Sequence, residues 1–194
     1  MFPPFEKWCD EVLHPDDTSP WNFRTLQFYD EYRTKYAIAK LIQPKRILEV
    51  GVRFGYSARS FLFAAPEAEY FGLDIDEPSW GAFKGVPRVW AEKRLKKLYP
   101  KNIIQTWRQD SQEAPSMTNL VNLFDLVHID ADHSYEGALH DMEHFWPACQ
   151  GTMVVDDYLE VMDAVSTFLA KHNNELVKMF ASSLRSSALL VRVS

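Results

Sequence analysis

Apolar positions recur along this chain in two alternating rhythms. In "RTLQFYDEYRTKYAIAKLI" (24–42), Phe28, Tyr32 and Tyr36 stand four apart, with Leu26, Tyr29 and Ile38 beside them, predicting a helix that Pro44 closes. Compact apolar runs and helical spacings then take turns. "RILEV" (46–50) predicts a strand, "YSARSFLFAA" (56–65) a helix, "EYFGLDI" (69–75) a strand and "RVWAEKRLKKLY" (88–99) a helix. "NIIQTWRQ" (102–109) and "FDLVHID" (124–130) predict strands, and "SYEGALHDMEHFWPA" (134–148) predicts a helix. "GTMVVDD" (151–157) is a strand and "LEVMDAVSTFLAKH" (159–172) a helix, while "ELVKMFASS" (175–183) and "SALLVRV" (187–193) predict two strands joined by a short turn. Strand and helix in alternation build βαβ units. The expected fold is α/β and doubly wound: a mostly parallel seven-stranded sheet, helices on both faces, and a C-terminal antiparallel hairpin.

Residues 1–22 have no such rhythm and carry Pro3, Pro4, Pro15 and Pro20. No repeat divides the 194 residues, so one domain is expected: a segment and helix over 1–43, then a core over 44–194. Apolar residues make up 46% and charged residues 25%, as in ordinary globular proteins. A net charge of −6 disfavours nucleic acid and acidic membrane surfaces as partners. Cys9 and Cys149 stand far apart, which suits free thiols in a reducing compartment. "MFPPFEKWCDEV" lacks the apolar stretch of a signal peptide, and no run approaches the ~20 apolar residues of a membrane span. A cytoplasmic location is expected, and a homo-oligomer is compatible with the sequence.

Polar residues collect where the strands end. The first strand runs into "EVGVRFGYS", with Glu49, Gly51, Gly55 and Ser57; the second ends at Asp74 and the third at Asp110, Ser111 and Gln112. The fourth ends at Asp130 and the fifth at Asp156 and Asp157. Any one of these is an ordinary strand terminator. Five in agreement mark the carboxyl rim, where open α/β sheets bind ligands. The glycine loop departs from the dinucleotide fingerprint, because Arg53 occupies the middle glycine's place. A cofactor lacking phosphates fits better. Asp74 is placed to accept ribose hydroxyls, and Glu49 to help hold an ammonium group. An adenosine joined to an amino acid is S-adenosylmethionine.

Taken together, "ILEVGVRFGYSA", "FGLDIDEP", "DSQE", "FDLVHIDADHSYEG" and "VVDDY" resemble the class I S-adenosylmethionine-dependent methyltransferases. More narrowly, the chain is similar to the small metal-dependent O-methyltransferases related to the catechol and caffeoyl-CoA enzymes. Its nearest flavour is the branch with macrocin-type sugar methyltransferases and cephalosporin-hydroxylase-like proteins. The resemblance spans residues 44–193. It implies a Rossmann-like fold in which Glu49, Gly51 and Ser57 hold the methionine part, within the loop carrying Arg53 and Gly55. It places Asp74 on the ribose and Ser111, Gln112 and Asp110 at the adenine. Asp130, Asp156 and Asp157 match the family's divalent-metal ligands, a hard oxygen site suited to Mg2+, Ca2+ or Mn2+, with Mg2+ expected first. His133 stands where relatives carry a lysine that acts as general base, beside Asp130 at the reacting atoms. Asp132 is read as a structural partner or N-cap of the following helix.

The implied activity is divalent-metal-dependent O-methylation of a small hydroxylated acceptor, such as a phenol, sugar or natural product. The alternatives are a cephalosporin-hydroxylase-like reaction, tRNA-nucleoside methylation, or a non-catalytic S-adenosylmethionine-binding module. Other signals are weighed as structural. "HDMEH" (140–144) matches a zinc-protease pattern but lies inside a crossover helix without a third ligand. His128 is read as a satisfied core histidine and "EKRLKK" (92–97) as a solvated face. The Phe28, Tyr32, Tyr36 stripe should pack on the sheet, and Trp21, Phe23 and Phe28 are candidates for a lid.

Overall fold

Near-continuous burial along the central strands makes one sheet with two apolar faces. The computed structural model describes residues 26–77, 86–115, 123–175, 178–181 and 187–192. The lid candidates Trp21 and Phe23, and the side chain of Phe28, lie outside the described residues. Strands β1 (Arg46–Val50), β2 (Glu69–Asp74), β3 (Ile104–Arg108), β4 (Phe124–Ile129) and β5 (Cys149–Val155) run parallel. The C-terminal pair, β6 (Lys178–Ala181) and β7 (Ala188–Val191), is antiparallel, and β7 lies antiparallel against β5. Across the sheet the order is β3-β2-β1-β4-β5-β7-β6.

Helices cover both faces: α1 (Leu26–Ile42), α2 (Tyr56–Ala64), α3 (Pro87–Leu98), α4 (Tyr135–Phe145) and α5 (Tyr158–Lys171). Ile47, Tyr70, Ile104, Leu126 and Val154 pack with Ala39, Phe61 and Leu95 of α1, α2 and α3. On the other face, Leu48, Val127, Ile129 and Met153 pack with Met142 and Phe145 of α4 and with Val165 and Phe168 of α5. No described helix is long and apolar enough to cross a membrane.

Strand order reverses at β1, which pairs with β2 on one side and β4 on the other. The crevice beyond such a switch point is where this architecture takes ligands. Here the two chain segments nearly touch: Asp130 N–H donates to the Val50 carbonyl at 2.8 Å. Gly51 has φ +92°, and a Cβ on it would lie 1.9 Å from the Asp130 carbonyl oxygen. Only glycine lets the strand turn there.

The start of α4 refines the reading of Asp132. The N-cap is Ser134, whose Oγ accepts from Gly137 N–H at 3.0 Å. Asp132 stands one step back, accepting from Ser134 N–H at 2.8 Å. It is therefore the cap's partner and not the cap.

Candidate active site

A cavity of about 570 Å³ opens over the switch point, within the usual size range of small-molecule sites. Asp74, at the end of β2, shapes its floor. One carboxylate oxygen accepts from the N–H groups of Val52 and Arg53 at 3.0 and 2.7 Å, and the other from Asp76 N–H at 2.7 Å. Those bonds hold the β1–α2 loop in a turn in which Arg53 takes φ +47°. Asp76 (φ +58°) is gripped by the Arg88 guanidinium at 2.9 and 2.8 Å. Arg53, Asp76 and Asp157 are three of the four described non-glycine residues at positive φ, and all three line this cavity. Backbone strain concentrated in one cleft is a mark of a functional site.

Gly51, Arg53, Ser57, Asp74 and Asp130 line the cavity, as do Asp110, Ser111 and Gln112. Asp110 accepts from Gln112 N–H at 2.9 Å, and the Gln112 amide donates to Asp141 at 2.8 Å. Asp141 on α4 was not anticipated from the sequence. It is fully buried, and burial pushes its carboxyl up to about 7. The available signal was an acid on the inward stripe of α4, beside Ala138, Met142 and Phe145.

At the other end, Asp130, His133 and Asp157 converge. His133 lies 3.5 Å from Asp130, 3.4 Å from Asp157 and 3.6 Å from Glu160. Hydrogen bonding to Asp130 raises the imidazole to about 9 against the opposing effect of burial, with Asp157 and Glu160 adding to the rise. Asp157 is lifted to about 6 by burial, then by the charges of Asp130 and Asp156.

Two expected site residues play different parts. Glu49 does not line the cavity and is 1% exposed. Its strand position points it toward the α1–α2 layer, the same side as Ile47, so it meets the core and not the rim. There its carboxylate accepts from the Tyr70 hydroxyl and lies 3.0 Å from His128 Nδ1. His128, fully buried, is raised to about 9: burial and Lys35 oppose this, while Asp156 and Glu49 drive it. Gly55 also stands outside the cavity. A Cβ there would come within 2.9 Å of Ala91 Cβ, so this glycine (φ +69°) lets the loop lie against α3.

Asp156 reaches the cavity but is already engaged. Lys35, fully buried on α1, donates to Asp156, to Ser57 Oγ at 2.9 Å and to Glu31 at 3.0 Å. The second Asp156 oxygen accepts from Ser187 Oγ at 2.8 Å. Burial opposes ionisation of Asp156, yet Lys35 and then His128 hold its carboxyl well below the usual range. Glu31 and Tyr32 also line the cavity. From the sequence Tyr32 reads only as packing, so the α1 contribution stays hidden there. The signal was a lysine on the inward face that carries Tyr32 and Ala39.

The expected metal ligands Asp130, Asp156 and Asp157 fall into two clusters among the described residues. Two overlapping groups bring ligating atoms within 4.8 Å of one another: His128, Asp130 and Asp156, and Asp130, His133 and Asp157. The first includes the carboxylate that Lys35 holds. The second fits an ion better, because its side chains are 26–29% exposed at the cavity wall. The zinc-like pair His140 and His144 stacks ring on ring at 5.4 Å, and His144 Nε2 lies 3.0 Å from the Pro115 carbonyl. It joins no ligand cluster among the described residues.

Comparison with known proteins agrees with this fold. No curated protein sequence matches the chain. Among solved structures, the S-adenosylhomocysteine-bound methyltransferase PaMTH1 of Podospora anserina superposes with a TM-score of 0.61 at 16% identity, over 99% of this chain and 94% of that one. The O-methyltransferase TomG of Streptomyces achromogenes, in complex with S-adenosylmethionine and involved in tomaymycin synthesis, gives 0.61 at 18% identity over 99% and 88%. A Bacillus cereus O-methyltransferase in complex with S-adenosylhomocysteine gives 0.60 at 14% over 98% and 90%. At these identities the likeness establishes the α/β Rossmann-like fold. The sequence model of the methyltransferase domain matches residues 48–158, from β1 to the first residue of α5, and takes in most of the cavity lining. By that match over more than half its length, the chain belongs to the methyltransferase-domain family and is a methyltransferase.

Proposed function

We propose that this methyltransferase uses S-adenosylmethionine to methylate a hydroxyl oxygen of a small acceptor. The observation that carries the reading is the polarity of the cavity. Acids that suit ribose hydroxyls stand at Asp74 and Asp76, and a proton-handling group stands at Asp130, His133 and Asp157. This lining suits an adenosine joined to an amino acid better than a pyrophosphate, which the acids would repel. In this reading Gly51 and Ser57 hold the methionine part with Arg53 beside them, Asp74 takes the ribose, and Asp110, Ser111 and Gln112 border the adenine. Ser57 Oγ accepts from Lys35, which leaves its own proton available to donate to the cofactor. Glu49 braces this end from behind, through His128, instead of touching the cofactor.

Bound S-adenosylmethionine supplies an activated methyl on sulfur, and alignment of the acceptor contributes roughly 7–11 kcal/mol of catalysis. The acceptor hydroxyl must lose its proton, and in the absence of an ion His133 takes it. Among its neighbours Asp130 and Asp157 stabilise the imidazolium that results. A divalent ion would be held by Asp130, His133 and Asp157 and would acidify the hydroxyl directly. Nitrogen in that set broadens the expected metal from Mg2+ toward Mn2+ and other ions that accept imidazole. A labelled-methyl screen of phenols, sugars and nucleosides, with and without chelator, tests the reading. Titration calorimetry that detects no S-adenosylhomocysteine binding to the pure protein would refute it.

A further inference from the structure

Lys35 makes every hydrogen bond an ammonium can make, and it makes them inside the cluster where the family's metal is expected. Its three partners are Glu31, Ser57 and Asp156, and the residue is 0% exposed. Asp156 offers its other oxygen to Ser187 and has His128 Nε2 at 3.7 Å. An ammonium is a compact point charge of the same sign as a metal ion. It neutralises a buried carboxylate as an ion does, and it repels an ion brought to the same oxygen.

We propose that Lys35 is a built-in cation that takes the place of the metal at Asp156. This rests on the reading of Asp130, His133 and Asp157 as the groups that hold a divalent ion. The chain thus keeps a two-aspartate ion site and withholds its third aspartate from the ion. Geometry favours this over a plain core ion pair. Lys35 reaches from α1 across α2, bonding Ser57 on the way, to end at the tip of β5, next to Asp157. A tie between helix and sheet needs only one partner; this ammonium gathers a cavity-lining residue from each of three elements.

Mn2+ binding to the full chain, followed by electron paramagnetic resonance, tests the proposal without any methyl acceptor. Lys35→Met frees Asp156 and should tighten Mn2+ on the order of 10–100-fold over wild type. The gain should vanish in Lys35→Met/Asp156→Asn. Asp156→Asn alone keeps all three proposed ligands and should weaken Mn2+ only modestly, through the lost negative charge. A wild type whose Mn2+ affinity collapses with Asp156→Asn overturns the proposal, and this comparison stands even if Lys35→Met does not fold. Lys35→Met that folds and binds Mn2+ no better than wild type overturns it as well. S-adenosylhomocysteine titration on the same samples reports the methyltransferase reading separately, because cofactor binding can succeed whichever way the metal result falls.

Discussion

Replacing Asp141 by Asn should stabilise this protein at alkaline pH and not at acid pH. Asp141 is fully buried on α4, with one oxygen accepting from the Gln112 amide at 2.8 Å and the other without a hydrogen-bond partner among the described residues. Burial moves its carboxyl from an ordinary 3.8 to about 7. The folded state therefore holds a proton that the unfolded chain releases, so stability is full below pH 3.8 and falls as pH rises through about 7. At about 1.4 kcal/mol for each pH unit between those values, keeping the group costs up to about 4 kcal/mol at pH 8. Asparagine cannot ionise and keeps the acceptor for Gln112. It also places an amide N–H₂ where the bare oxygen stood, at a cost of about 1–3 kcal/mol. The net gain at pH 8 is about 1–3 kcal/mol, which for a chain of this size raises Tm by roughly 2–12 °C. Near pH 4 only the amide's cost remains, so the variant should melt slightly below wild type. Calorimetric melts from pH 4 to 8.5 measure the crossing. A difference between the two proteins that stays constant with pH would refute the reasoning, since only an ionising Asp141 makes it vary.

Other perturbations probe the rest of the cavity. Gly51→Ala drives a methyl into the Asp130 carbonyl and should cost on the order of 3 kcal/mol or more, read by urea unfolding. Asp74→Ala releases the Val52, Arg53 and Asp76 N–H groups, and S-adenosylhomocysteine affinity should fall by roughly tenfold or more in calorimetry. Under chelator, methyl transfer should climb with pH toward about 9 as His133 loses its proton, whereas His133→Gln should give a low, flat profile. A wild-type rate that levels off near pH 6.5 would show that the acids around His133 do not hold its proton in solution.

Much of this protein is written in local pattern. Compact apolar runs such as "RILEV" and "FDLVHI" decide strand, and the inward spacing of Ala138, Met142 and Phe145 decides helix, because each depends on which faces a segment presents to whatever core forms. The rim was legible for the same reason: chain order alone puts Gly51, Asp74, Asp110, Asp130 and Asp156 at the carboxyl ends of parallel strands. Tertiary structure decided what each charge meets. Glu49 and Asp130 both end strands at the switch point, yet one is sealed by Tyr70 and His128 and the other opens on the cavity. Asp156 and Asp157 are neighbours in sequence, but a lysine 121 positions earlier claims only the first. Apolar burial is non-directional and can be read from periodicity. An ion pair depends on separation and dielectric, and those exist only once α1 has settled onto the sheet.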